Sequence, residues 1–257
     1  MRNIKLTIEY DGTNYSGWQI QPDSPTIQGE LETAVRMIIA FKTSSDNTPS
    51  DPSYSGIHGA SRTDAGVHAF AHVATFKTDT DIPLYGIIRG LNSVLPRDIA
   101  IKEAVEVPAD FDARRDSKGK TYLYKVLTGP TRSPIYRNRC WHLREGLDIE
   151  LMQEGASLLV GEKDFSSFRA SGCGAKHPIR EVTSFTVESK GDGFIEFTVR
   201  GTAFLRHMVR IMVGTLVEVG RGKVTINEFR GIIEARERTA APYTAPPQGL
   251  YLMATEY

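Results

Sequence analysis

The chain has 257 residues, of which 40% are hydrophobic and 24% charged, enough apolar material for one large or two smaller cores and too much for a largely disordered chain. Thirty-one basic and thirty-one acidic side chains cancel to zero net charge, which weighs against a generic binder of polyanions. Two cysteines, Cys140 and Cys173, are too few for a disulfide framework and lack a CxxC spacing, so a reducing compartment, the cytoplasm, is expected.

Residues 1 to 10 alternate polar and apolar side chains, which predicts a first strand and not the continuous apolar run of a secretory signal. Asp11-Gly12 marks a turn. Ile27, Leu31, Ala34, Val35, Ile38 and Ile39 then fall on one face at helical spacing, predicting a helix from about Thr26 to Phe41. Residues 43 to 56 are rich in Ser, Thr and Pro and read as a mobile polar connection with no catalytic part. Two strands are expected at 58 to 62 and 68 to 77, on either side of a tight Thr63-Asp64-Ala65-Gly66 corner. Pro83 suits the first turn of a helix striped by Leu84, Ile87, Ile88 and Leu91, and a strand follows at 99 to 107.

The order β-α-β-β-α-β restarts after a connection around 108 to 117. A strand at 121 to 127 precedes a helix at 148 to 160 stopped by Gly161, strands at 182 to 188 and 194 to 200, a helix at 203 to 219 and a final strand at 250 to 255. An extra helix starts at Thr225, where Thr225 and Glu228 form a capping-box pattern. The apolar stretch 204 to 219 is interrupted by Arg206, His207, Arg210 and Glu218, so no membrane span is expected. The expected fold is α/β, two ferredoxin-like halves at 1 to 110 and 111 to 257 whose sheets join around a cleft.

Charge is unevenly spread. Between 114 and 144 lie Arg114, Arg115, Lys118, Lys120, Lys125, Arg132, Arg137, Arg139 and Arg144, with tyrosines at 122, 124 and 136 interleaved. Most such runs are solvated faces, but rings among cations also suit stacking on bases. Arg62-Thr63-Asp64-Ala65-Gly66-Val67-His68-Ala69 is the most unusual segment. It sets a carboxylate two residues after an arginine, with a small residue and a glycine behind it. An arbitrary Asp before such a turn bonds its own backbone, and only context makes it chemical.

That context is a resemblance. The segment resembles the signature of the TruA family of pseudouridine synthases, transfer-RNA enzymes acting on the anticodon stem-loop. The resemblance continues through Phe111-Asp112-Ala113-Arg114, Lys120-Thr121-Tyr122-Leu123-Tyr124, Asp164-Phe165-Ser166-Ser167-Phe168, Phe204-Leu205-Arg206-His207-Met208-Val209-Arg210 and Ala245-Pro246-Pro247-Gln248-Gly249-Leu250, covering nearly the whole chain. Six motifs in the family's order are hard to reach by accident. Asp112 stands where histidine is frequent and Ser61 where glycine is common.

The resemblance implies isomerisation of uridine to pseudouridine at positions 38, 39 and 40 of transfer RNA, by a homodimer, with catalytic Asp64, Tyr122 and Arg210. Asp64 would attack the nucleotide as nucleophile or draw a proton from the ribose as base, and both roles stay open. Tyr122 would stack on the flipped uracil, whereas Tyr124 reads as core. Arg210 would pair with the carboxylate, and Arg206 is expected one turn away on the same helix. Arg62 would fill the space the base leaves, or simply pair with Asp64. Arg114, Lys120, Arg206 and His207 are expected to meet RNA. No cofactor is implied, because the reaction adds no group and changes no oxidation state. No metal is expected, since Cys173 with His177, and His58, His68 and His72, lack convincing ligand spacing. Two rivals remain. A glycoside hydrolase needs a second acid partner for Asp64, and a non-catalytic RNA-binding module would tolerate Asp64→Asn.

Overall fold

The computed structural model describes residues 1 to 43 and 54 to 257. It divides into two compact units, Met1–Lys118 with Leu252–Tyr257, and Gly119–Tyr251. The polar connection expected at 43 to 56 lies mostly outside the described residues. The fold is mixed α/β with mainly antiparallel strand pairing, as the order of elements predicts.

In the first unit, β1 (Arg2–Tyr10) lies between β3 (His68–Thr78) and β4 (Ile99–Val107), antiparallel to both, with β2 (His58–Gly59) on the far side of β3. The strand order 4-1-3-2 is the ferredoxin-like one. Alternation in β1 buries Ile4, Leu6, Ile8 and Tyr10 on one face. Helices α1 (Ile27–Thr43) and α2 (Leu84–Val94) supply Ile27, Leu31, Ala34, Val35, Ile87 and Leu91 to the core. The Thr26 hydroxyl starts α1 by accepting from the Gly29 N–H at 3.2 Å. Pro83 sits at the N-cap of α2, one position earlier than its usual first-turn place.

One irregularity bears on the site. Ile8 pairs with His72 and Tyr10 with Ala69, so Glu9 alone opposes Phe70 and Ala71, a β-bulge one turn of chain from Asp64. The strand expected at 58 to 62 shrinks to His58–Gly59, with only the Ala60 N–H continuing to Val73 O at 2.8 Å. Residues 60 to 62 leave the ladder because they are already turning into the corner.

In the second unit, β5 (Gly119–Thr128) pairs antiparallel with β9 (Phe194–Gly201), which pairs with β8 (Ile179–Gly191), which pairs with β7 (Gly161–Asp164). β6 (Trp141–Leu143) runs parallel to β5. Neither β6 nor β7 was expected, since three or four residues carry too little periodicity to register. Helix α3 (Ile149–Ser157) is capped by Asp148, whose carboxylate accepts from the Leu151 N–H. Helix α5 (Ile226–Ala235) has the full capping box of Thr225 and Glu228. It is more than a decoration: Phe229 is fully buried, with its ring 6.4 Å from that of Phe168.

Helix α4 (Met208–Gly220) corrects two expectations. It begins at Met208 and not at 203, because His207 adopts a left-handed conformation with φ 60, which no helix interior tolerates. Arg206 is therefore off the helix that carries Arg210, and their four-residue separation is not a helical turn. Eleven of the thirteen residues of α4 are buried, so it is enclosed on every side and not apolar on one face only. The two exceptions are Arg210 and Glu218. No helix among the described residues is long and apolar enough to cross a membrane.

Candidate active site

The corner at 62 to 66 is held from behind by its backbone. Its turn closes through the Val67 N–H, which donates to Asp64 O at 3.2 Å, and Gly66 takes φ 76 at the third position, where a side chain would be strained. The Thr63 carbonyl accepts from the Trp18 N–H at 3.1 Å, and the Thr63 hydroxyl meets the Tyr10 hydroxyl at 2.8 Å. The Gly66 N–H reaches Tyr15 O at 3.3 Å. These bonds fix the main chain on both sides of Asp64. The Asp64 side chain stands half-buried at the tip, and Arg62 is exposed.

A segment that sequence reasoning passed over makes this possible. Gly17 has φ 95, and a methyl group there would lie 2.6 Å from the Thr63 carbonyl oxygen. No other residue lets the 16 to 18 strand of chain approach the corner so closely. Trp18, 2% exposed, lies over His72 with ring centroids 3.7 Å apart, and its indole occupies the space a side chain at Gly59 would need. Tyr10 completes the cluster by meeting His72 Nδ1 at 3.1 Å. The readable signal was Ser16-Gly17-Trp18, a glycine before a large ring after a predicted turn.

His68 is buried one step beyond the corner. Its Nδ1 lies 3.1 Å from both the Gly12 N–H and the Asp11 carboxylate. One ring nitrogen cannot accept from one and donate to the other. The Gly12 N–H has a fixed direction and donates to Nδ1. The Asp11 oxygen is meanwhile engaged by the Thr13 N–H and hydroxyl.

Arg114 projects from a local turn built by Asp112. The Asp112 carboxylate accepts from the N–H groups of Arg114 and Arg115 at 2.9 and 2.8 Å. The Arg115 amide bond, the Arg114 amide bond and the Arg115 charge outweigh partial burial and hold this carboxyl below its ordinary range. Behind it, Ala113 is buried beneath Phe111 and Tyr257, whose hydroxyl donates to Ala113 O at 2.8 Å. Arg114 itself is exposed.

In the second unit, Tyr122 stands on β5, 8% exposed, with its ring edge-to-face against Phe204 at 5.1 Å. Lys120, half-buried, precedes it on the same face, opposite Gly201 on β9. Tyr124, two residues on, is fully enclosed: its hydroxyl donates to Pro246 O at 2.7 Å and its ring leaves no room for a side chain at Gly249. Burial drives its phenol well above the ordinary value, against the opposing Arg210 charge.

Arg210 is anchored by the same segment. Its Nε donates to Ala245 O at 2.8 Å, and the Ala245 N–H donates back to Arg210 O at 3.0 Å. The Ala245-Pro246-Pro247-Gln248-Gly249 motif thus has a physical account: one end aims Arg210, the other packs Tyr124, two residues from Tyr122. Arg206 is exposed, with its Nη1 donating to Ser171 O at 3.2 Å, and His207 caps α4. Among the described residues, no group of three or more His, Cys, Asp or Glu is arranged to hold a metal ion.

The first unit thus presents a carboxylate on a braced corner, and the second an arginine on an enclosed helix and a ring on a strand. A family model described as tRNA pseudouridine synthase matches residues 6 to 116 and 156 to 257. The chain belongs to the tRNA pseudouridine synthase family, a class of isomerases. It is similar to the tRNA pseudouridine synthase A of Geotalea uraniireducens, 47% identical over 257 residues that cover all of both chains. It is also similar to that of Myxococcus xanthus, 44% identical over all of this chain and 92% of the relative, and to that of Acetivibrio thermocellus, 45% identical over all of both.

Proposed function

We propose that the chain isomerises uridine to pseudouridine at positions 38, 39 and 40 in the anticodon stem-loop of transfer RNA. The observation that carries the reading is the corner at 62 to 66, whose backbone is braced on both sides of Asp64 while the carboxylate is left at the tip. In this reading the N-terminal half, 1 to 110, brings the acid, and the C-terminal half, 111 to 257, brings Tyr122 and Arg210.

The reaction breaks the bond from C1′ to N1, turns the uracil, joins C1′ to C5 and moves the C5 proton out as N1 gains one. Atoms balance without a cofactor. Asp64 starts it, as nucleophile toward the nucleotide or as base toward the ribose. Arg210 is the carboxylate's partner in this reading, and its Nε bond to Ala245 O fixes the direction of its charge. Tyr122 stacks on the flipped uracil, and its edge contact with Phe204 limits the ring's rotation. Flipping costs a few kcal/mol, and Arg62 offsets part of it by occupying the vacated stack. Arg114, Lys120, Arg206 and His207 hold the RNA. The enzyme works in the cytoplasm as a homodimer, which sedimentation at micromolar concentration will show as twice the 28.5 kDa chain mass.

The test is unmodified transfer RNA carrying tritium at uridine C5. Wild-type protein releases the label from positions 38 to 40, and Asp64→Asn binds the RNA but slows release by roughly a thousandfold or more. Binding without release by the wild type leaves an RNA-binding module instead. Wild-type release by Asp64→Asn removes Asp64 from its role.

A further inference from the structure

A basic pocket lies wholly within the second unit. It has a volume of ≈ 570 Å³, and its lining includes Arg169, Cys173, Arg206, His207, Arg238 and Thr244. Three separate stretches of chain build it: the loop after the Ser166–Phe168 turn, the approach to α4, and the segment that follows α5. No carboxylate is among the described residues that line it.

The cations are fixed there. Arg169 Nη2 donates to the carbonyls of Cys173 and Ala175 at 2.9 and 2.7 Å. Arg238 donates to Ala241 O at 2.8 Å and to the Thr244 hydroxyl at 3.2 Å. Arg206 donates to Ser171 O, and its own carbonyl accepts from the Ala170 N–H at 3.1 Å. A guanidinium steered by neutral carbonyls keeps its full charge and a set direction, the two properties a phosphate clamp needs. Gathering three of them without a carboxylate is unfavourable until an anion enters.

The pocket also carries an internal probe of its field. Burial pushes the Cys173 thiol up, yet the N–H groups of Arg206 and Ala175 and the Arg169 guanidinium overcome this and bring it below its ordinary value. Negative charge is thus favoured on the one side chain of the lining able to acquire it. His207, in the lining, occupies the N-cap position of the helix whose first turn carries Arg210, without a side-chain capping bond, so an anion held here sits at the positive end of α4.

We propose that this pocket seats a backbone phosphate of the RNA substrate, with Arg206, Arg169 and Arg238 as its clamp. The inference deepens the reading of the chain as a transfer-RNA enzyme and rests on it. A nucleic acid fits better than a small metabolite because the lining gathers three guanidinium groups with no carboxylate among the described residues, and because Arg206 stands exposed, reachable by a long polyanion.

The experiment uses the full-length protein and unmodified transfer RNA. Iodoacetamide alkylation of Cys173 is followed by peptide mass spectrometry, which reads it separately from the buried Cys140. Alongside it, transfer-RNA affinity is measured by filter binding across a salt series for wild type and Arg206→Gln. The expected result is that saturating RNA slows Cys173 alkylation about tenfold while inorganic phosphate at the same concentration does not. Arg206→Gln should weaken binding roughly tenfold and flatten the salt dependence by about 0.7 to 0.9 in log–log slope, the loss of one phosphate contact. The slope decides independently of how fast the thiol reacts. Tight RNA binding with an unchanged slope in Arg206→Gln overturns the phosphate pocket and leaves the enzyme reading standing. Equal protection by inorganic phosphate overturns the assignment to RNA. Failure of the wild type to bind transfer RNA at any salt overturns the enzyme reading, and the inference falls with it.

Discussion

The corner that carries Asp64 and the helix that carries Arg210 each hold a charged candidate site residue, and they do so by opposite means. The corner has little apolar anchorage of its own and is aimed by hydrogen bonds, from the Trp18 N–H to Thr63 O, from the Gly66 N–H to Tyr15 O and between the Thr63 and Tyr10 hydroxyls, and by the close approach of Gly17. Helix α4 is enclosed by core on all sides, and its arginine is tied to Ala245 through its Nε. Bonds and a glycine fix the main chain that carries the half-buried carboxylate. Packing gives the arginine a rigid base. A mobile substrate loop can be met by either design, but the corner is the one that geometry alone can spoil.

Gly17→Ala breaks the comparison most strongly. The new methyl would face the Thr63 carbonyl at 2.6 Å with φ 95, and backbone on one side has to move. A destabilisation of about 2 to 3 kcal/mol in urea unfolding is expected. Tritium release measured well below the midpoint should fall roughly a hundredfold through misplacement of Asp64. Full release from folded Gly17→Ala protein would show that the approach of this segment does not set the acid's position.

Arg210→Lys sharpens the other side. It keeps a positive charge but loses the Nε bond to Ala245. Stability should drop by about 1.5 kcal/mol, the worth of a hydrogen bond from a charged donor, because the surrounding helix is unaffected. Release should fall at least tenfold, with transfer-RNA affinity nearly unchanged. Unaltered release would mean that charge at this position suffices without direction.

Asp112→Asn gives the smallest effect and reports through pH. The Asp112 carboxyl lies below its ordinary value in the folded chain, chiefly through the Arg115 amide. Its stabilisation is therefore complete above the unfolded value and is lost as pH falls through the lower folded one. Urea midpoints of wild type and Asp112→Asn should differ at neutral pH and converge as the pH falls below the ordinary carboxylate range. A constant gap across that range would detach Asp112 from the turn that presents Arg114.

Much of this fold was legible because the sequence repeats its periods. β1 alternates from Ile4 to Tyr10, α1 keeps its apolar stripe, and the capping box at Thr225 marks its helix to the residue. What escaped was either short or non-local. β6 and β7 offer three and four residues. The start of α4 was placed too early because Ala203-Phe204-Leu205-Arg206-His207 satisfies helical spacing, and only the left-handed His207 reveals the break. The acid was visible through its motif, but the bracing by Gly17 and Trp18 was not. Nothing at 16 to 18 says that its partner lies nearly fifty residues on. The basic pocket was invisible for the same reason, since its cations come from three separated stretches.

The segment from Ala245 to Gly249 binds two clients at once, Arg210 through Ala245 and the Tyr124 ring through Pro246 and Gly249. A slip of this segment by one residue would release both together, so the aim of the arginine and the seating of the strand beneath Tyr122 behave as a single cooperative latch. The Ala245 amide, whose proton is held by the Arg210 carbonyl, is accordingly a natural reporter in hydrogen exchange. Its protection registers the latch opening without any change made to the arginine itself.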